Sequence, residues 1–451
     1  MSHSVPLSAF DASLQTSSEG VPVVEQAATH VDSSAFLPLA LATLAEAGVS
    51  QRQAEELVLK SLLTEGPASG WSIAEKVALP FQSLEHLLKS LKAELLVVLK
   101  AAAAMGDFVY ELTDLGRERA RRYFEHCSYC GAASVPLEVY HAAVAAQSVR
   151  QNPPTLADVR RAFADLVLAP QLVERLGEAM TAGLGFFLYG PPGNGKTSIA
   201  ERVTAAYGTG VWIPRTISAS GEMIQLFDAA CHEVLPTPEL HGVAPHKIDR
   251  RWVYVRRPTI FAGGEMTLDQ LEVARNATTG IHEATLQLKS NCGTLVIDDF
   301  GRQKIGVEQL LNRWILPLER RYDLLSLSNG KTLRVPFDQL IVFATNFEPR
   351  LLVDEAFLRR IPYKVDVLDP TEDQFRAVWR QTAESLGIQT DDAALEHLLE
   401  HHYRQAQRPL RFCHARDLLA QVHNHCRFRA VPSAVTTASL EAAVQNYFAV
   451  A

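Results

Sequence analysis

With 451 residues, the chain is long enough for roughly two to four domains and for a large buried core. A net charge of −8 argues against a protein that coats nucleic acid non-specifically, and charged residues interrupt the apolar segments before they reach bilayer-spanning length. Six cysteines in a chain of this size indicate reduced thiols, so we expect a cytoplasmic protein with no membrane partner.

The N-terminal part of the chain begins as a polar tail and continues as a small helical module. Residues 1–34 have few basic residues and no unbroken apolar segment, which predicts a disordered tail rather than a signal peptide. Residues 35–126 contain two capping-box patterns, which predict helices near 51–65 and 73–79. Leucines three or four residues apart between 84 and 91 predict a third helix, followed by strand-like segments and a last helix.

The order of these elements, together with Tyr110-Glu-Leu-Thr-Asp-Leu-Gly116, resembles a winged helix-turn-helix domain. A helix that reads DNA needs cationic and amide side chains on its outer face. The wing at 101–106 carries no charge, and the third helix offers only Gln82, Glu85, His86, Lys89 and Lys92. Docking of a protein is therefore favoured, and DNA binding stays open as the alternative. Residues 127–154 are expected to form a helical linker.

Residues 190–197, Gly-Pro-Pro-Gly-Asn-Gly-Lys-Thr, fit the phosphate-binding motif G-x-x-x-x-G-K-[ST]. An apolar run precedes the motif and a helix-compatible stretch comes after it, which is the strand, loop and helix that the motif requires. Backbone N–H groups and the helix start would surround an anion, Lys196 would reach the outer phosphates, and Thr197 would offer its hydroxyl to Mg²⁺. The predicted nucleotide-binding residues are Gly190, Pro191, Pro192, Gly193, Asn194, Gly195, Lys196, Thr197 and Ser198.

Two β-hairpins are predicted after this motif. Runs at 211–217 and 222–227 indicate the first, so that the segment 208–265 is expected to be rich in β-structure. Alternation of apolar and polar residues on both sides of Asn329-Gly330 indicates the second, over 324–335.

Two apolar strands further along the chain end in polar side chains. The strand within 293–300 ends at Asp298 and Asp299, and the strand that begins at Gln339 ends at Asn346. The carboxyl ends of buried parallel strands are where open α/β sheets bind ligands. There Asp298 would hold Mg²⁺ through water, and Asp299 would orient or deprotonate an attacking water. Asn346 would hydrogen-bond that water or the terminal phosphate.

Arginines near two predicted helices complete the set of candidate residues. Arg359 and Arg360 end a helix just before Pro362, where helix-dipole stabilisation alone would also favour them. Arg411 and Arg416 lie at the start of a helix in a C-terminal region that is predicted to be all helical.

This ordered set of motifs resembles the AAA+ ATPases over roughly residues 155–450. The resemblance implies an α/β fold in which a P-loop parallel sheet is sandwiched by helices at 155–367, with 208–265 as a β-rich insertion. An α-helical lid is then expected at 368–451. The resemblance also implies ATP and Mg²⁺ as cofactors, with metal contacts at Thr197 and Asp298.

The same resemblance assigns the remaining polar residues. It makes Asn346 the sensor 1 residue, Arg359 or Arg360 the arginine finger, and Arg416 the sensor 2 residue, with Arg411 as its rival. A finger supplied in trans stabilises charge on the transferring phosphoryl group, so the chain is expected to form a homo-oligomeric ring, most often a hexamer.

The stretch 280–296 and the hairpin at 324–335 resemble the pre-sensor-1 hairpin superclade, which includes MoxR-type ATPases and bacterial enhancer-binding activators. In such rings the hairpin points toward the pore, which makes Lys331 and Arg334 candidate pore contacts; a solvated hairpin edge is the other interpretation.

Two features depart from the family. Asp299 stands where most members have glutamate, and no Gly-Ala-Phe-Thr-Gly-Ala loop is present, which argues against remodelling of a sigma factor.

The leading interpretation is therefore a Mg²⁺-dependent AAA+ ATPase that couples ATP hydrolysis to remodelling of a protein client recruited by the N-terminal module. The alternative is a nucleic-acid-associated ATPase, a regulator or helicase loader, that places a winged helix on duplex DNA. A nucleotide kinase is disfavoured because paired aspartates, a strand-ending asparagine and an arginine pair serve hydrolysis rather than transfer to a small acceptor.

Overall fold

The structure is a computed structural model that describes residues 36–208, 210–238, 247–327 and 329–449. The tail predicted at 1–34 lies outside these residues. Within the described ranges, no helix combines the length and the apolar character that crossing a bilayer requires.

The N-terminal module consists of helices packed on a three-stranded antiparallel sheet of order β1-β3-β2. Its elements are α1 (Gln51–Glu65), β1 (Ala68–Ser69), α2 (Gly70–Val77), α3 (Phe81–Ala93), β2 (Val97–Ala102), β3 (Phe108–Leu112) and α4 (Asp114–His126). The capping box at Ser50 is confirmed, because the Ser50 and Gln53 side chains accept from each other's backbone N–H groups. The second helix begins earlier than predicted, since Ser69 rather than Ser72 caps it. The predicted leucine face of α3 is buried in the core of the module.

A mostly helical segment joins this module to the phosphate-binding loop. It contains β4 (Val135–Pro136), α5 (Leu137–Ala146), α6 (Leu156–Ala162) and α7 (Pro170–Thr181), and then β5 (Phe186–Tyr189) and α8 (Lys196–Val203) on either side of the loop. The strand–loop–helix context of the motif is thus present as predicted.

The segment after α8 is rich in strands, and all of them except β10 form a second β layer. Its elements are β6 (Gly210–Pro214), β7 (Thr216–Ala219), β8 (Glu222–Gln225), β9 (Trp252–Arg256), β10 (Thr259–Ala262), β11 (Ala274–Arg275), β12 (His282–Glu283) and α9 (Leu286–Lys289). The hairpin predicted from 211–217 and 222–227 is shorter than expected. The chain changes partner at Arg215: β6 pairs with β9, whereas β7 pairs with β8.

The central sheet has five parallel strands in the order β10-β13-β16-β5-β17. The elements that complete the sheet and its surroundings are β13 (Thr294–Ile297), α10 (Val307–Arg320), β14 (Tyr322–Ser326), β15 (Thr332–Pro336), β16 (Leu340–Thr345), α11 (Pro349–Leu352), α12 (Glu355–Arg360) and β17 (Tyr363–Asp366). Strand β10 lies within the range predicted as an insertion, yet it is the edge strand of this sheet. Because all five strands are parallel, the residues that come after β5, β13 and β16 meet at one edge.

The hairpin predicted around Asn329-Gly330 is confirmed, with β14 and β15 paired antiparallel from Tyr322↔Pro336 to Ser326↔Thr332. One face of the hairpin is buried: Leu325, Leu333 and Val335 belong to a hydrophobic core that also contains residues of the second β layer and α5. The hairpin therefore rests on that layer along its whole apolar face.

The C-terminal region is helical, as predicted. It contains α13 (Glu372–Ser385), α14 (Asp392–Leu398), a π-helical turn (Leu399–Arg404), α15 (Phe412–Phe428) and α16 (Thr437–Tyr447). These helices have their own core, in which Phe375 and Trp379 of α13 pack with leucines of α14 and α15.

Candidate active site

The loop 190–195 turns sharply between β5 and α8, and two of its glycines are required by close contacts. Gly190 has φ +140°, and a Cβ there would lie 2.4 Å from the carbonyl oxygen of Val367. Gly193 has φ +83°, and a Cβ there would lie 2.5 Å from Sγ of Cys413. Any larger residue would both strain the backbone and push the loop away from β17 and α15.

Lys196 is the first residue of α8 and points back across the loop. Its Nζ donates hydrogen bonds to the carbonyl oxygens of Gly190 and Pro191, each at 2.9 Å. The residue is only 8% exposed, and this burial lowers the pKa of its ammonium group against the opposing charges of Asp298 and Asp299. An ammonium group has three N–H donors, so one remains for an anion at the mouth of the loop.

The acidic residues after β13 lie next to the start of α8. The hydroxyl of Thr197 donates to Oδ2 of Asp298 at 3.0 Å, although 101 residues separate the two in the chain. Asp299 adopts a left-handed conformation with φ +50°, and its backbone N–H donates to Oδ1 of Asp298 at 3.0 Å. A hydroxyl and a carboxylate are the oxygen ligands that Mg²⁺ prefers, so this pair fits the predicted metal position.

These groups open into a cleft of about 840 Å³ between the sheet edge and the C-terminal helices. The sequence-predicted residues that line it are Pro192, Gly193, Asn194, Gly195, Lys196, Thr197, Ser198, Asp298, Asp299, Asn346 and Arg416. Gly190 and Pro191 lie at its border, through their contacts with Lys196. The other predicted residues, Arg359, Arg360 and Arg411, do not line it.

The two rivals for the sensor 2 role differ in their surroundings. Arg411 forms an ion pair with Asp369, and the same carboxylate oxygen accepts from Nδ2 of Asn194 at 2.7 Å. Arg416 lines the cleft, is 73% exposed on its side chain, and contacts only its neighbour Asp417 among the ion pairs of the described residues. The geometry favours Arg416 as the residue whose guanidinium is available inside the cleft.

The two arginines of α12 differ in the same way. Arg360 is held by Glu319, with 2.6 Å between the guanidinium and the carboxylate, and it also donates to the carbonyl oxygen of Ala356. Arg359 is 82% exposed and lies 4.0 Å from Glu355, which is itself 91% exposed. Arg359 is therefore the one whose guanidinium can reach another molecule.

Sequence reasoning missed one wall of the cleft. The residues concerned are Asp165, Leu166, Val167, Leu168, Arg302, Val378, Gln381, Phe412 and Cys413. The Gln381 amide donates to the carbonyl oxygen of Asp165 at 2.9 Å, which ties α13 to the segment before α7. The apolar run Leu166-Val167-Leu168 just before Pro170 is the signal that could have indicated this wall, because it precedes a helix start close to the loop.

Comparison with known proteins gives short or distant matches. Residues 371–446 match the family DUF8689, a domain of unknown function. A 44-residue stretch is 50% identical to the vesicular-fusion protein SEC18 of Saccharomyces cerevisiae and covers 10% of this chain but only 6% of SEC18.

Two of the solved structures to which the chain is similar are a branch migration motor and an NtrX protein. The RuvB Holliday junction branch migration motor of Thermotoga maritima is 14% identical over 66% of this chain and 72% of its own, with a TM-score of 0.34. NtrX from Brucella abortus, in complex with ADP, is 15% identical over 64% of this chain and 57% of its own, with a TM-score of 0.39. These likenesses are distant, so the chemistry of this chain has to be inferred from the geometry of its own cleft.

Proposed function

We propose that the chain is an AAA+-type ATPase that hydrolyses ATP in the cleft at the edge of the central sheet. The observation that carries the proposal is the 3.0 Å contact between Thr197 and Asp298, which brings the phosphate-binding loop and the acidic strand end together beside Lys196. This is the arrangement that positions a triphosphate and balances its charge, which is most of what catalysis of phosphoryl transfer requires.

Each residue has a defined part in the proposed reaction. Backbone N–H groups from 193–197 and the Lys196 ammonium bind the phosphate oxygens, and Arg416 adds positive charge from the opposite side of the cleft. Asp299 orients the attacking water and accepts its proton, while the Asn346 amide holds that water in line. The cleft wall formed by residues 165–168 and α13 offers apolar surface to the adenine base of ATP.

Thr197 and Asp298 are the residues that would hold Mg²⁺. When bound, the ion would supply positive charge that neutralises the phosphate oxygens and promotes departure of the leaving group. The direct Thr197–Asp298 hydrogen bond keeps both oxygens at one place, so the protein side of the metal position is formed in advance.

We further propose a homo-oligomeric ring in which each cleft is completed by a neighbour. No residue of α12 lines the cleft of its own chain, whereas Arg359 projects from the surface with its guanidinium 4.0 Å from the exposed Glu355. An arginine supplied by the adjacent chain would stabilise the transferring phosphoryl group. This makes Arg359 the proposed finger and gives Arg360 a structural part beside Glu319.

The work done by hydrolysis is proposed to be remodelling of a protein client that docks on the N-terminal module. Helix α3 gives little support to DNA reading, because Lys89 is 2.7 Å from Glu85 of the same helix, so its net outward charge is small. Two large apolar side chains near the wing are exposed, with Met105 at 93% and Phe108 at 42%, and the exposed Lys100 beside them pairs with Glu111. Salt-dependent binding of the full chain to duplex DNA would favour the nucleic-acid alternative, and no retention at low salt would remove it.

The assigned cleft is tested by Lys196→Ala in the purified full-length chain. We expect no measurable release of phosphate from Mg²⁺–ATP, because the loss removes the buried ammonium that meets the outer phosphates. Lys92→Ala, an exposed lysine of the N-terminal module, is the control and should retain full turnover. Unchanged turnover in Lys196→Ala would refute the proposal. A second variant, Asp299→Asn, should bind ATP but hydrolyse it slowly, and it provides a trapped form for identifying the client.

A further inference from the structure

Three metal-ligating side chains meet in the C-terminal region, away from the cleft. Nε2 of His397 and Nε2 of His402 lie 2.9 Å and 2.7 Å from the same oxygen, Oε1 of Glu441. One ligand atom from each residue lies within 4.8 Å of the others. Two imidazoles and one carboxylate are the ligand types that transition metals bind in proteins.

The backbone that presents the two histidines is unusual. In a regular α-helix, residues five apart point about 140° away from each other around the axis, so His397 and His402 would not share a face. Here the helix widens into the π-helical turn at Leu399–Arg404, where Gln405 N–H donates to Glu400 O, five residues back, at 3.0 Å. A π-helical turn is rare in proteins and is often found at functional sites.

We propose that His397, His402 and Glu441 form a site for a zinc-class divalent metal ion that joins the π-helical turn to α16. Three protein ligands with a water in the fourth position match a tetrahedral zinc site. The side chains are 33%, 22% and 35% exposed, so water and ions can reach the site.

The distances are compatible with this ion after a small adjustment. At metal–ligand distances of about 2.1 Å, tetrahedral ligand atoms lie roughly 3.4 Å apart. The two hydrogen-bonded pairs, at 2.9 Å and 2.7 Å, therefore need to separate by about 0.5 and 0.7 Å, which the half-buried carboxylate of Glu441 can absorb by rotation. The two imidazole nitrogens, which lie within 4.8 Å of each other, need to reach a similar spacing. The ion would replace the two imidazole protons that form the hydrogen bonds to Glu441.

Two hydrogen bonds connect the site to the cleft through the start of α15. Tyr403, the residue after His402, places its hydroxyl 3.0 Å from Nδ1 of His414 in the first turn of α15. The preceding residue, Cys413, donates its backbone N–H to the carbonyl oxygen of Gly193 at 2.9 Å. A bound ion would therefore stiffen the helices that rest on the phosphate-binding loop.

The test uses the full-length chain without a histidine tag, stripped with chelator and kept in excess Mg²⁺ so that the oxygen ligands near Asp298 are already occupied. Calorimetric titration with ZnCl₂ should give one ion per chain, and binding should raise the melting temperature. Titration with CoCl₂ should give the visible absorption of a tetrahedral nitrogen–oxygen site.

Two variants locate the site. His402→Ala and Glu441→Gln should each weaken Zn²⁺ binding by more than about 100-fold, since even loss of an outer-shell partner costs 10- to 100-fold. Glu441→Gln keeps an oxygen that accepts the imidazole hydrogen bonds, so its metal-free melting should match the native chain. His86→Ala, an exposed histidine of the N-terminal module, is the control and should bind as the native chain does.

The native chain decides the proposal even if a variant fails to fold. Absence of a saturable site with one ion per chain, or a Co²⁺ spectrum of purely hydrated ion, would overturn it. Undiminished Zn²⁺ affinity in folded Glu441→Gln, or equal loss in His86→Ala, would also overturn it. None of these outcomes depends on ATP hydrolysis, so failure here and failure of the proposed function are distinguishable.

Discussion

The edge of the central sheet and the β14–β15 hairpin both carry charged residues that local sequence patterns single out, but the fold treats them differently. At the sheet edge, parallel pairing forces the residues after β5, β13 and β16 to one place, so their chemistry converges on a cleft. In the hairpin, the local sequence pattern indicates that two strands pair, but it does not indicate what surrounds them. Its apolar face packs on the second β layer, and Arg334 lies over the ring of Tyr322 at 4.0 Å.

The comparison teaches that topology can assign a function to charged residues at strand ends but not along a hairpin. Lys331 and Arg334 remain candidate pore contacts, and both are exposed. Their position is set by the buried residues behind them and by the hydrogen bond from Asn329 to Glu222 of β8, at 3.2 Å. Any movement of this hairpin with nucleotide state would have to move the second β layer with it.

The largest expected effect comes from the arginine that one chain does not bring to its own cleft. Arg359→Ala should lower kcat by about 1,000-fold or more, the effect expected of a finger that acts between subunits. Arg360→Ala should lower kcat far less and should mainly reduce thermal stability, since it loses the contact with Glu319. Steady-state phosphate release measures both.

Mixing provides the control for that prediction. Arg359→Ala chains and Lys196→Ala chains are each expected to be inactive, but in a mixed ring some clefts have an intact lysine beside an intact neighbouring arginine. Turnover should therefore reappear on mixing. If it does not, or if Arg360→Ala is the more damaging change, the assignment of Arg359 is wrong.

The packing of the β14–β15 hairpin on the second β layer is tested by a substitution on the buried face of the hairpin. Leu333→Ala should reduce the free energy of unfolding by about 2–4 kcal/mol, because it leaves a cavity between the hairpin and the second β layer. Lys331→Ala, two residues away on the exposed tip, should change it by less than about 0.5 kcal/mol. Urea denaturation measures both. Equal stabilities would mean that the hairpin does not pack as described.

The smallest expected effect concerns pH and the contact between the π-helical turn and α15. Burial lowers the pKa of His414 to about 4, with Arg411 acting in the same direction. Between about pH 6.5 and pH 4 the unfolded chain binds a proton there that the folded chain does not, so the free energy of unfolding falls as the pH decreases.

At about 1.4 kcal/mol per pKa unit, this loss amounts to at most about 3.5 kcal/mol over the whole range and to about 2 kcal/mol between pH 7 and pH 5. Denaturation at pH 7 and at pH 5 should show a smaller pH dependence for His414→Gln than for the native chain. His425→Gln, in the last turn of the same helix, is the matched control. An identical pH dependence in all three proteins would contradict the prediction.

The cleft at the edge of the central sheet shows what could be predicted and what could not. The loop 190–197 and the strand ends at Asp298 and Asn346 were predicted because short motifs dictate both their conformation and their place at the sheet edge. The wall at 165–168 was missed, since an apolar run before a helix has many uses. The change of partner at Arg215 was also missed. The sequence of β6 and β7 has the pattern of one continuous strand, and β6 pairs with β9, which lies about 40 residues further along the chain.

The conformation of the loop 190–197 follows from local sequence, because glycines and a lysine at fixed spacing between a strand and a helix leave the backbone few other conformations. The presence of a hairpin over 324–335 follows from local sequence too, because apolar and polar residues alternate on both sides of Asn329-Gly330. Long-range packing sets which arginines are held and which are exposed, because Glu319 and Asp369, the partners of the held Arg360 and Arg411, lie far from them in the chain. Long-range packing also brings His397, His402 and Glu441 together. A π-helical turn changes which residues share a helix face, and no regular spacing in the sequence predicts such a turn.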